Sequence, residues 1–385
     1  MINEKYEIEI KLGIRDIQKS EWDNLVQKLN NPFYEWEWLF NLEGSKSVSQ
    51  ATGWQPLYFL IYLNKELQGI APLFLKNHSY GEFIFDQSFA RLANDLNLEY
   101  YPKLIGMSPY SPIEGYQFLY KQHSNKQEIT AVLLKYIEEF AKKNKIISCN
   151  FLYVDEEWGK LLNSYKYHKW INTRSQWESI GELKFEEFLN RFNSNQRKNI
   201  KKERKSVLTQ NIKINHFTGD DISEELMRNM HFFYEQHCLR WGAWGSKYLT
   251  YDFFRNADKI KDNLLIFSAF EGSSNKTIAM SMCVKNQFNL WGRYWGSSRE
   301  INNLHFELCY YQPIEWSIKN RIKYFDPGAG GQHKRRRGFI AKGTNSFHRW
   351  FDESMENIIV QWLRRANNET KRQIGFENES IPFKK

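Results

Sequence analysis

Several features that commonly identify a protein's chemistry are scarce or missing in this sequence. Its 385 residues include only four cysteines, and none of them forms a C-x-x-C pair or follows a zinc-site spacing. No run approaches the roughly 18 apolar residues of a membrane-spanning helix. The charged N-terminus also lacks the apolar core of a signal peptide. These absences predict reduced, buried thiols and a cytoplasmic protein.

The sequence also lacks the usual signatures of hydrolases and metalloenzymes. It contains neither an H-E-x-x-H motif nor a recognisable Ser-His-Asp spacing. Hydrolytic and metal-dependent chemistry therefore receive little weight, and we expect no bound metal.

Aromatic side chains and positive charge are abundant. Aromatic residues make up 16% of the chain and hydrophobic residues 41%, which is enough for a sizeable core. The formal net charge of +9 favours anionic partners such as phosphate-bearing ligands, nucleic acid or a membrane surface. A moderate positive charge serves solubility equally well, so both interpretations stay open.

The order of predicted elements repeats once along the chain. In each half, aromatic-rich helical sequence leads into a meander of three strands, and a helix and a further strand follow. The first half has predicted strands at 57–63, 69–76 and 81–86, a helix from residue 129 and a last strand at 146–154. The second half has predicted strands at 264–270, 278–285 and 289–296, a helix at 304–320 with a kink at Pro313, and a last strand at 322–326.

This repetition predicts an α+β fold of two similar domains, each a mostly antiparallel sheet flanked by helices. We place the domains at residues 1–175 and 176–350. Residues 351–385 contain a further amphipathic helix, which we expect to pack on the second domain.

The segment between the two halves is strongly basic. Six cations lie between residues 197 and 205, within a helix predicted at about 195–209. Such a helix can follow a phosphate backbone, or it can be a solvated link between domains. The candidate nucleic-acid-binding residues are Arg197, Lys198, Lys201 and Lys202.

The stretch "FDPGAGGQHKRRRGF" (325–339) is the strongest candidate site. It joins three glycines to four consecutive cations directly after a predicted strand. It is not a Walker A loop, which ends in Gly-Lys-Ser/Thr, and His333 occupies the third glycine position of a dinucleotide fingerprint. The N–H groups of a glycine-rich turn can bind an anion, so Gly328 and Gly330 are candidate substrate-binding residues. Arg337, one of the four cations, is a further candidate. A structural turn with a solvated basic end is the alternative.

Two further candidates lie in the second half. Arg293 lies between Gly292 and Gly296 in an aromatic strand, where glycine allows a ligand or another backbone to approach. A bulge with an exposed arginine is the alternative. The second candidate is the pair of His305 and Glu307 near a helix start, which can serve acid–base chemistry. Glu307 can equally just favour the helix N-terminus.

The first half contributes an aromatic segment with one lysine, "YYPKL", and a preceding acidic loop. Asp86, Tyr101 and Lys103 are the candidate substrate-binding residues in this region. A packed aromatic loop is the alternative.

Several segments together resemble the FemAB-like family, whose members are identified as peptidoglycan biosynthesis proteins or GNAT-type N-acyltransferases. These segments include "SPYSPIEG", "RKNIKKERK", "GRYWG" and "FDPGAGGQHKRRRGF". The resemblance extends from about residue 20 to the C-terminus and implies two tandem GNAT-like (acyl-CoA N-acyltransferase-like) domains, as in the Fem aminoacyltransferases. One difference is that the Arg/Gln-x-x-Gly-x-Gly/Ala signature for the acyl-CoA pyrophosphate is not evident after "NLWGRYWG".

The resemblance implies an N-acyltransferase or aminoacyltransferase. An acyl-CoA or aminoacyl-tRNA donor would transfer its acyl group to an amine, for example that of a cell-wall precursor, without a tightly bound cofactor. The amine must lose a proton and the oxyanion needs fixed donors. Lys334 with His333 is our candidate for the donors, and Glu307 for the base. The residues expected to hold phosphates or carboxylates are Arg293, Lys103 and Arg337.

The alternative function belongs to a different class. Two GNAT-like domains without a cofactor site would form a binding module for a peptidoglycan precursor or RNA.

Overall fold

Runs of aromatic and β-branched residues become neighbouring strands in the structure, a computed structural model that describes residues 5–240, 242, 246–272, 274 and 276–384. The strands are β1 (Tyr6–Lys11), β2 (Trp54–Leu63), β3 (Glu66–Lys76), β4 (Lys103–Gly106), β5 (Leu119–Tyr120), β6 (Ser148–Phe151), β7 (His168–Glu178), β8 (Ile212–Thr218), β9 (Leu264–Glu271), β10 (Thr277–Lys285), β11 (Asn289–Ser297), β12 (Tyr324–Asp326) and β13 (Ile340–Trp350). The helices are α1 (Lys19–Val26), α2 (Trp36–Gly44), α3 (Gln87–Asp95), α4 (Lys126–Lys143), α5 (Glu156–Leu162), α6 (Phe185–Leu189), α7 (Ser194–Leu208), α8 (Glu224–Arg240), α9 (Tyr251–Arg255), α10 (Leu304–Phe306), α11 (Gln312–Lys319) and α12 (Glu353–Glu379).

The chain divides into two units that are not continuous in sequence. The first unit contains residues 1–172 and 343–371, and the second contains residues 173–342 and 372–385. The chain therefore passes from one unit to the other within β7, within β13 and within α12.

In the first unit the strand order is β1-β2-β3-β4-β6-β13. Strands β1 to β4 are antiparallel neighbours, β4 and β6 are parallel, and β13 is antiparallel to β6. A parallel pair needs a crossover connection, and α4 lies in the segment that joins β4 to β6. The apolar face of α4 packs into the core of this unit, where Leu133 and Ile137 are fully buried.

The second unit has the same arrangement, with the strand order β8-β9-β10-β11-β12-β7. Its first four strands are antiparallel neighbours, β11 and β12 are parallel, and β7 is antiparallel to β12. The helical segment from α10 to α11 makes the crossover between β11 and β12 and buries Leu308 and Ile314 in the core of this unit.

The sixth strand of each unit is distant in sequence from the strand beside it. Residues 347–350 of β13 complete the first unit beside β6, and residues 177–178 of β7 complete the second beside β12. The two units thus share one strand order and one set of strand directions. The predicted α+β fold of two similar domains with mostly antiparallel sheets is confirmed.

The predicted domain limits need correction because the chain returns to the first unit within β13. Residues 343–350 belong to the first unit, so 176–350 is not one continuous domain. The helix expected on the second domain instead begins in the first unit. There Trp362 packs edge-on against Trp170, and the Asn367 side chain accepts the backbone N–H of Ile171 at 2.8 Å. Only the end of α12 lies in the second unit, where Asn378 bonds to Ala341.

The strand predicted at 81–86 is an irregular loop, and β4 takes its place as the partner of β3. Gly81 and Phe83 have positive φ angles of 82° and 58°, which no β-strand accommodates. Its aromatic and β-branched residues predicted a strand, but the buried side chain of Glu82 bonds to Lys103 at 2.8 Å and holds the loop against β4.

The expected kink at Pro313 takes the form of a π-helical turn. Residues Glu307–Tyr311 are π-helical, and α11 begins immediately afterwards with Pro313 in its first turn. The wider turn places the missing N–H of Pro313 where a helix start leaves its N–H groups unpaired. In the described part of the chain, no helix has both the length and the low polarity that a bilayer crossing requires.

Gly296 in β11 lies against the backbone of α8. A Cβ atom at this position would lie 1.9 Å from the carbonyl oxygen of Phe233. The close neighbour of this glycine is therefore a helix backbone, one of the two possibilities that glycine in a strand suggested.

We expect Gly296→Ala to lower the free energy of unfolding by about 1–3 kcal/mol, because neither backbone can yield without disturbing the core. Gly375→Ala on α12 is the matched control, since nothing lies within 4 Å of its Cβ position. That change should stabilise the protein by about 0.5–1 kcal/mol through helix propensity. Urea unfolding of both variants measures the difference, and equal midpoints would contradict the close approach.

Candidate functional site

The glycine-rich loop after β12 turns sharply because three of its residues have positive φ angles. Gly328, Gly330 and Gly331 have φ angles of 85°, 72° and 87°, a region that side chains rarely occupy. The Asp326 carboxylate accepts the N–H of Gly328 at 2.8 Å and fixes the start of the turn. That N–H is consequently engaged, so Gly328 does not offer an anion the donor that we predicted from the sequence.

Lys334 folds back beneath this turn. It lies in a 3₁₀ helix formed by Gln332–Arg337, and its buried Nζ donates to the carbonyl oxygens of Gly328 at 2.5 Å and Ala329 at 3.2 Å. An ammonium has three hydrogens, and among the described residues the third has no acceptor. Burial lowers the pKa of Lys334 to about 8, although Asp326 acts in the opposite direction. The side chain is therefore a positioned donor with one hydrogen to offer.

His333 lies beside Lys334 and is joined to the π-helical turn. Its Nε2 and the Tyr310 hydroxyl are 2.9 Å apart, and its ring also contacts that of His305. Burial and the neighbouring Arg337 lower the pKa of His333, and burial lowers that of His305 to about 3. Both imidazoles are thus neutral at physiological pH, and a neutral imidazole can accept a proton.

Arg337 holds the turn from inside the unit. Both oxygens of Glu203, on α7, accept its Nη2 at 2.8 Å, and its Nη1 donates to the carbonyl oxygen of His333 at 2.9 Å. The guanidinium lies 3.4 Å from the ring centre of Phe306. Arg337 is buried with its charge already paired, so the geometry gives it a structural position rather than an open phosphate site.

Glu307 is equally occupied. Arg204 donates to both of its oxygens, with the shortest contact at 2.8 Å, and Gln312 donates to Oε1 at 2.8 Å. These donors occupy both oxygens of the carboxylate. The structure therefore argues against the predicted role of Glu307 as the base, and the His333–Tyr310 pair is the better candidate.

Arg293 lies in β11, and its guanidinium is 5.5 Å from the ring centre of Tyr294. The Arg293 side chain also hydrogen-bonds to the Tyr294 side chain. Arg293 is half-buried. Neither contact brings it to the Lys334 turn.

The first-half candidates form a separate cluster in the first unit. Lys103 is fully buried, and its Nζ donates to Glu82 at 2.8 Å, to Ser79 at 2.8 Å and to Asp86. Tyr101 bonds to Ser79 at 2.8 Å. All three hydrogens of Lys103 are engaged, so it has none left for the phosphate or carboxylate that we predicted it to bind.

A second lysine, Lys76, lies in the same cluster. Its Nζ bonds to the carbonyl oxygen of Tyr80 at 3.1 Å and lies 3.8 Å from the ring centre of Trp54. Burial lowers the pKa of Lys76 to about 7 and raises that of Glu82 to about 7. The loop 77–86 is therefore held on two buried lysines, which gives the cluster a structural role.

The basic helix α7 forms as predicted, from Ser194 to Leu208, and the Asn193 side chain caps it by accepting the N–H of Gln196 at 2.9 Å. Its lysines at positions 198, 201, 202 and 205 are exposed. Arg197 is half-buried and donates to Asn190 at 3.0 Å. Arg204 turns inward to Glu307 and Glu315, so it does not share the outer face.

The structure brings together Lys334, His333, Arg337 and the glycine loop. Glu307 is linked to them only through α7, where Arg204 binds Glu307 and the adjacent Glu203 binds Arg337. Sequence reasoning missed Glu203 and Tyr310, whereas it had considered His305 together with Glu307 for acid–base chemistry. The available signal for Glu203 was a single acid within the cationic run "RKNIKKERK". Tyr310 carried no distinguishing pattern.

Comparison with solved structures identifies the class of fold. FemX shares 13% sequence identity, and the match covers 91% of this chain and 100% of FemX with a TM-score of 0.52. A tandem GNAT protein from the clavulanic acid biosynthesis pathway matches at 10% identity over 89% of this chain and 98% of its own, with a TM-score of 0.45. L-PGS from Bacillus licheniformis matches at 8% identity over 85% and 95%, with a TM-score of 0.49. The likeness to FemX, together with the duplicated strand order, shows that the chain has a FemX-like fold of two similar units.

The family follows from the sequence as a whole. The FemAB-like family model, described as peptidoglycan biosynthesis/recognition, matches residues 13–385. The chain therefore belongs to the FemAB-like family, as its motifs indicated. The comparison with curated proteins gave no match.

We expect Lys103→Met to lower the free energy of unfolding by about 3–5 kcal/mol, because it leaves two buried carboxylates without their cation. Lys121→Met removes the exposed partner of Glu66 and should change it by less than about 1 kcal/mol. Adding Glu82→Gln and Asp86→Asn to Lys103→Met should restore part of the loss. A Lys103 variant of normal stability would return this residue to the ligand-binding hypothesis.

The exposed lysines of α7 stay a predicted nucleic-acid site. If they contact tRNA, affinity falls steeply with salt. The slope of the logarithm of the binding constant against the logarithm of salt concentration becomes more negative by about 0.7–0.9 for each neutralised phosphate. Replacing Lys198, Lys201 and Lys202 by Gln should flatten that slope by about two units. Gln at exposed positions 142, 143 and 145 is the matched control and should leave it unchanged. Filter binding over a salt series measures both, and identical slopes would argue against the site.

Proposed function

We propose that this protein is an acyl- or aminoacyltransferase that forms an amide between an activated acyl donor and an amine acceptor. The observation that carries the proposal is the ammonium of Lys334, which is anchored by two carbonyl oxygens and keeps one N–H without an acceptor among the described residues. Attack of an amine on an acyl carbonyl creates an oxyanion, and a fixed donor in a desolvated position stabilises it most.

The acceptor amine must also lose a proton during the reaction. His333 is neutral and lies next to Lys334 in sequence and in the same turn. In the tautomer whose Nε2–H donates to Tyr310, its Nδ1 keeps the lone pair that accepts the proton. The carbonyl carbon gains a bond to the amine nitrogen, and the leaving thiolate or ribose oxygen then departs with the electron pair of the broken acyl bond.

The acceptor class rests on the family. Its description as peptidoglycan biosynthesis/recognition supports an amine-bearing cell-wall precursor as the acceptor. The donor is acyl-CoA or aminoacyl-tRNA. The four exposed lysines of α7 support aminoacyl-tRNA as the donor, and the missing acyl-CoA signature favours the same donor.

A binding module for a peptidoglycan precursor is the second candidate, favoured by the same missing signature. The two functions are separated by incubating the full chain with labelled acyl-CoA or aminoacyl-tRNA and a cell-wall precursor. A labelled amide product supports the transferase. Precursor binding without transfer from either donor supports the module.

We expect Lys334→Ala to lower kcat about 10²- to 10³-fold with little change in KM, because the donor acts on the oxyanion and not on the bound substrate. Lys334→Arg should also be impaired, since a planar guanidinium places its donors differently. Single-turnover rates and thermal unfolding are measured on the same preparations. A loss of rate that follows only the loss of folded protein would make Lys334 structural.

The pH profile gives the same prediction a second readout. The wild-type rate should fall as pH rises through about 8, because Lys334 then loses the proton that makes it a donor. It should fall on the acid side as His333 becomes protonated, below the ordinary imidazole pKa. The residual activity of Lys334→Arg should lack the alkaline decline, since a guanidinium does not titrate there.

A further inference from the structure

The turn after β7 exposes two aliphatic side chains while its backbone is tightly held. Ile180 and Leu183 are 72% and 74% exposed. Between them, the buried carboxylate of Glu182 accepts the Ser179 hydroxyl at 3.0 Å and the Ile180 N–H at 2.8 Å. Arg191 pairs with the other oxygen at 2.9 Å. Glu182 therefore points inward, and its two apolar neighbours are left facing solvent.

The far end of this turn is fixed as well. The carboxylate of Glu187 accepts the N–H of Leu183 at 2.8 Å. Gly181, at the crest, has a φ of 99° and no atom within 4 Å of its Cβ position. The exposure of Ile180 and Leu183 is thus imposed by a network of hydrogen bonds and is not the looseness of an unanchored loop.

Two aromatic side chains lie beside this turn. Ser179 donates its N–H to the carbonyl oxygen of Lys323 at 2.9 Å, and Lys323 donates its own to that of Phe288 at 2.8 Å. The side chain of Phe288 is 38% exposed, and that of Tyr324, which follows Lys323 and begins β12, is 37% exposed. We call Ile180, Leu183, Phe288 and Tyr324 the apolar tip.

The surroundings of the apolar tip are basic. Lys184, Arg321 and Lys323 are exposed, and none of them makes an ion pair with another described residue. Most nearby carboxylates are engaged: Glu178 pairs with Lys342 at 3.2 Å, and Glu182 with Arg191. Glu186 and Glu187 are the exposed acids of this region, and Glu187 is held by the Leu183 N–H.

We propose that the apolar tip binds the surface of a membrane that contains anionic lipids. Four side chains are too few for a stable dimer, whose interface needs about 800 Å² from each partner. Shallow insertion below the headgroups needs only such a small apolar group when cations surround it. The positive rim and the net charge of +9 match an anionic surface. This inference does not depend on the proposed acyl transfer.

Flotation of the full chain with lipid vesicles tests the proposal at low salt. Binding is expected to vesicles that mix phosphatidylglycerol with phosphatidylcholine, and not to phosphatidylcholine alone. Ile180→Ser with Leu183→Ser should lower the partition coefficient by about tenfold or more. Arg321→Gln with Lys323→Gln should lower it about fivefold for each cation removed. Leu12→Ser, at an aliphatic side chain 59% exposed in the first unit, is the control and should leave it unchanged.

Thermal unfolding of each variant shows that these surface changes leave the fold intact. Failure of the wild type to bind either vesicle overturns the proposal. So does binding that the Ile180/Leu183 variant retains, because the cations alone would then account for it. A dimer in gel filtration that these two changes dissociate would assign the apolar tip to a second copy of the chain and reject the membrane.

Discussion

A cation that leaves water must find its counter-charge inside the protein, and Arg337 meets this constraint in the second unit. Its guanidinium is buried against Phe306, and Glu203 supplies the compensating charge through two hydrogen bonds of 2.8 Å. Removing one member of such a pair costs about 3–5 kcal/mol, so the pair keeps its geometry strictly. Arg337 also donates to the carbonyl oxygen of His333, so the pair fixes the position of the turn that carries Lys334.

The same constraint distinguishes the two buried lysine sites. Lys103 has two carboxylates and a hydroxyl for its three hydrogens, and nothing remains for a ligand. Lys334 has two carbonyl oxygens, which are dipoles and not charges, so its burial is less fully compensated and its pKa falls to about 8. A lysine that is desolvated, anchored and still short of one acceptor is suited to a charge that develops during a reaction. This contrast with Lys103 favours the Lys334 turn as the candidate centre for chemistry.

Sequence periodicity predicted the elements but not the return of β13 to the first unit. The repeated order of strands and helices was sufficient to predict the α+β fold, because the apolar face of each element is determined by the residues of that element alone. The passage of β13 to β6 depends on pairing between residues about 200 apart, which no local pattern encodes. The loop at 81–86 was predicted as a strand for a related reason, since its aromatic and β-branched residues are typical of a strand while a distant lysine fixes its conformation. The candidate site shows the same division: the glycines and Lys334 form a visible motif, whereas Glu203 and Tyr310 are revealed only by contact.

Helix α7 connects the features that the sequence left separate. Gln196, Ile200 and Val207 are buried on its inner face, where the amide of Gln196 donates to the Arg336 carbonyl oxygen at 2.7 Å. Glu203 and Arg204, on the same face, hold Arg337 and Glu307. The exposed lysines occupy the opposite face. An anion bound there would act on a rigid helix whose other side positions the Lys334 turn and the π-helical segment together. The mixed charge of "RKNIKKERK" therefore follows from two requirements on one helix, with acid and arginine pairing inward and lysine facing solvent outward.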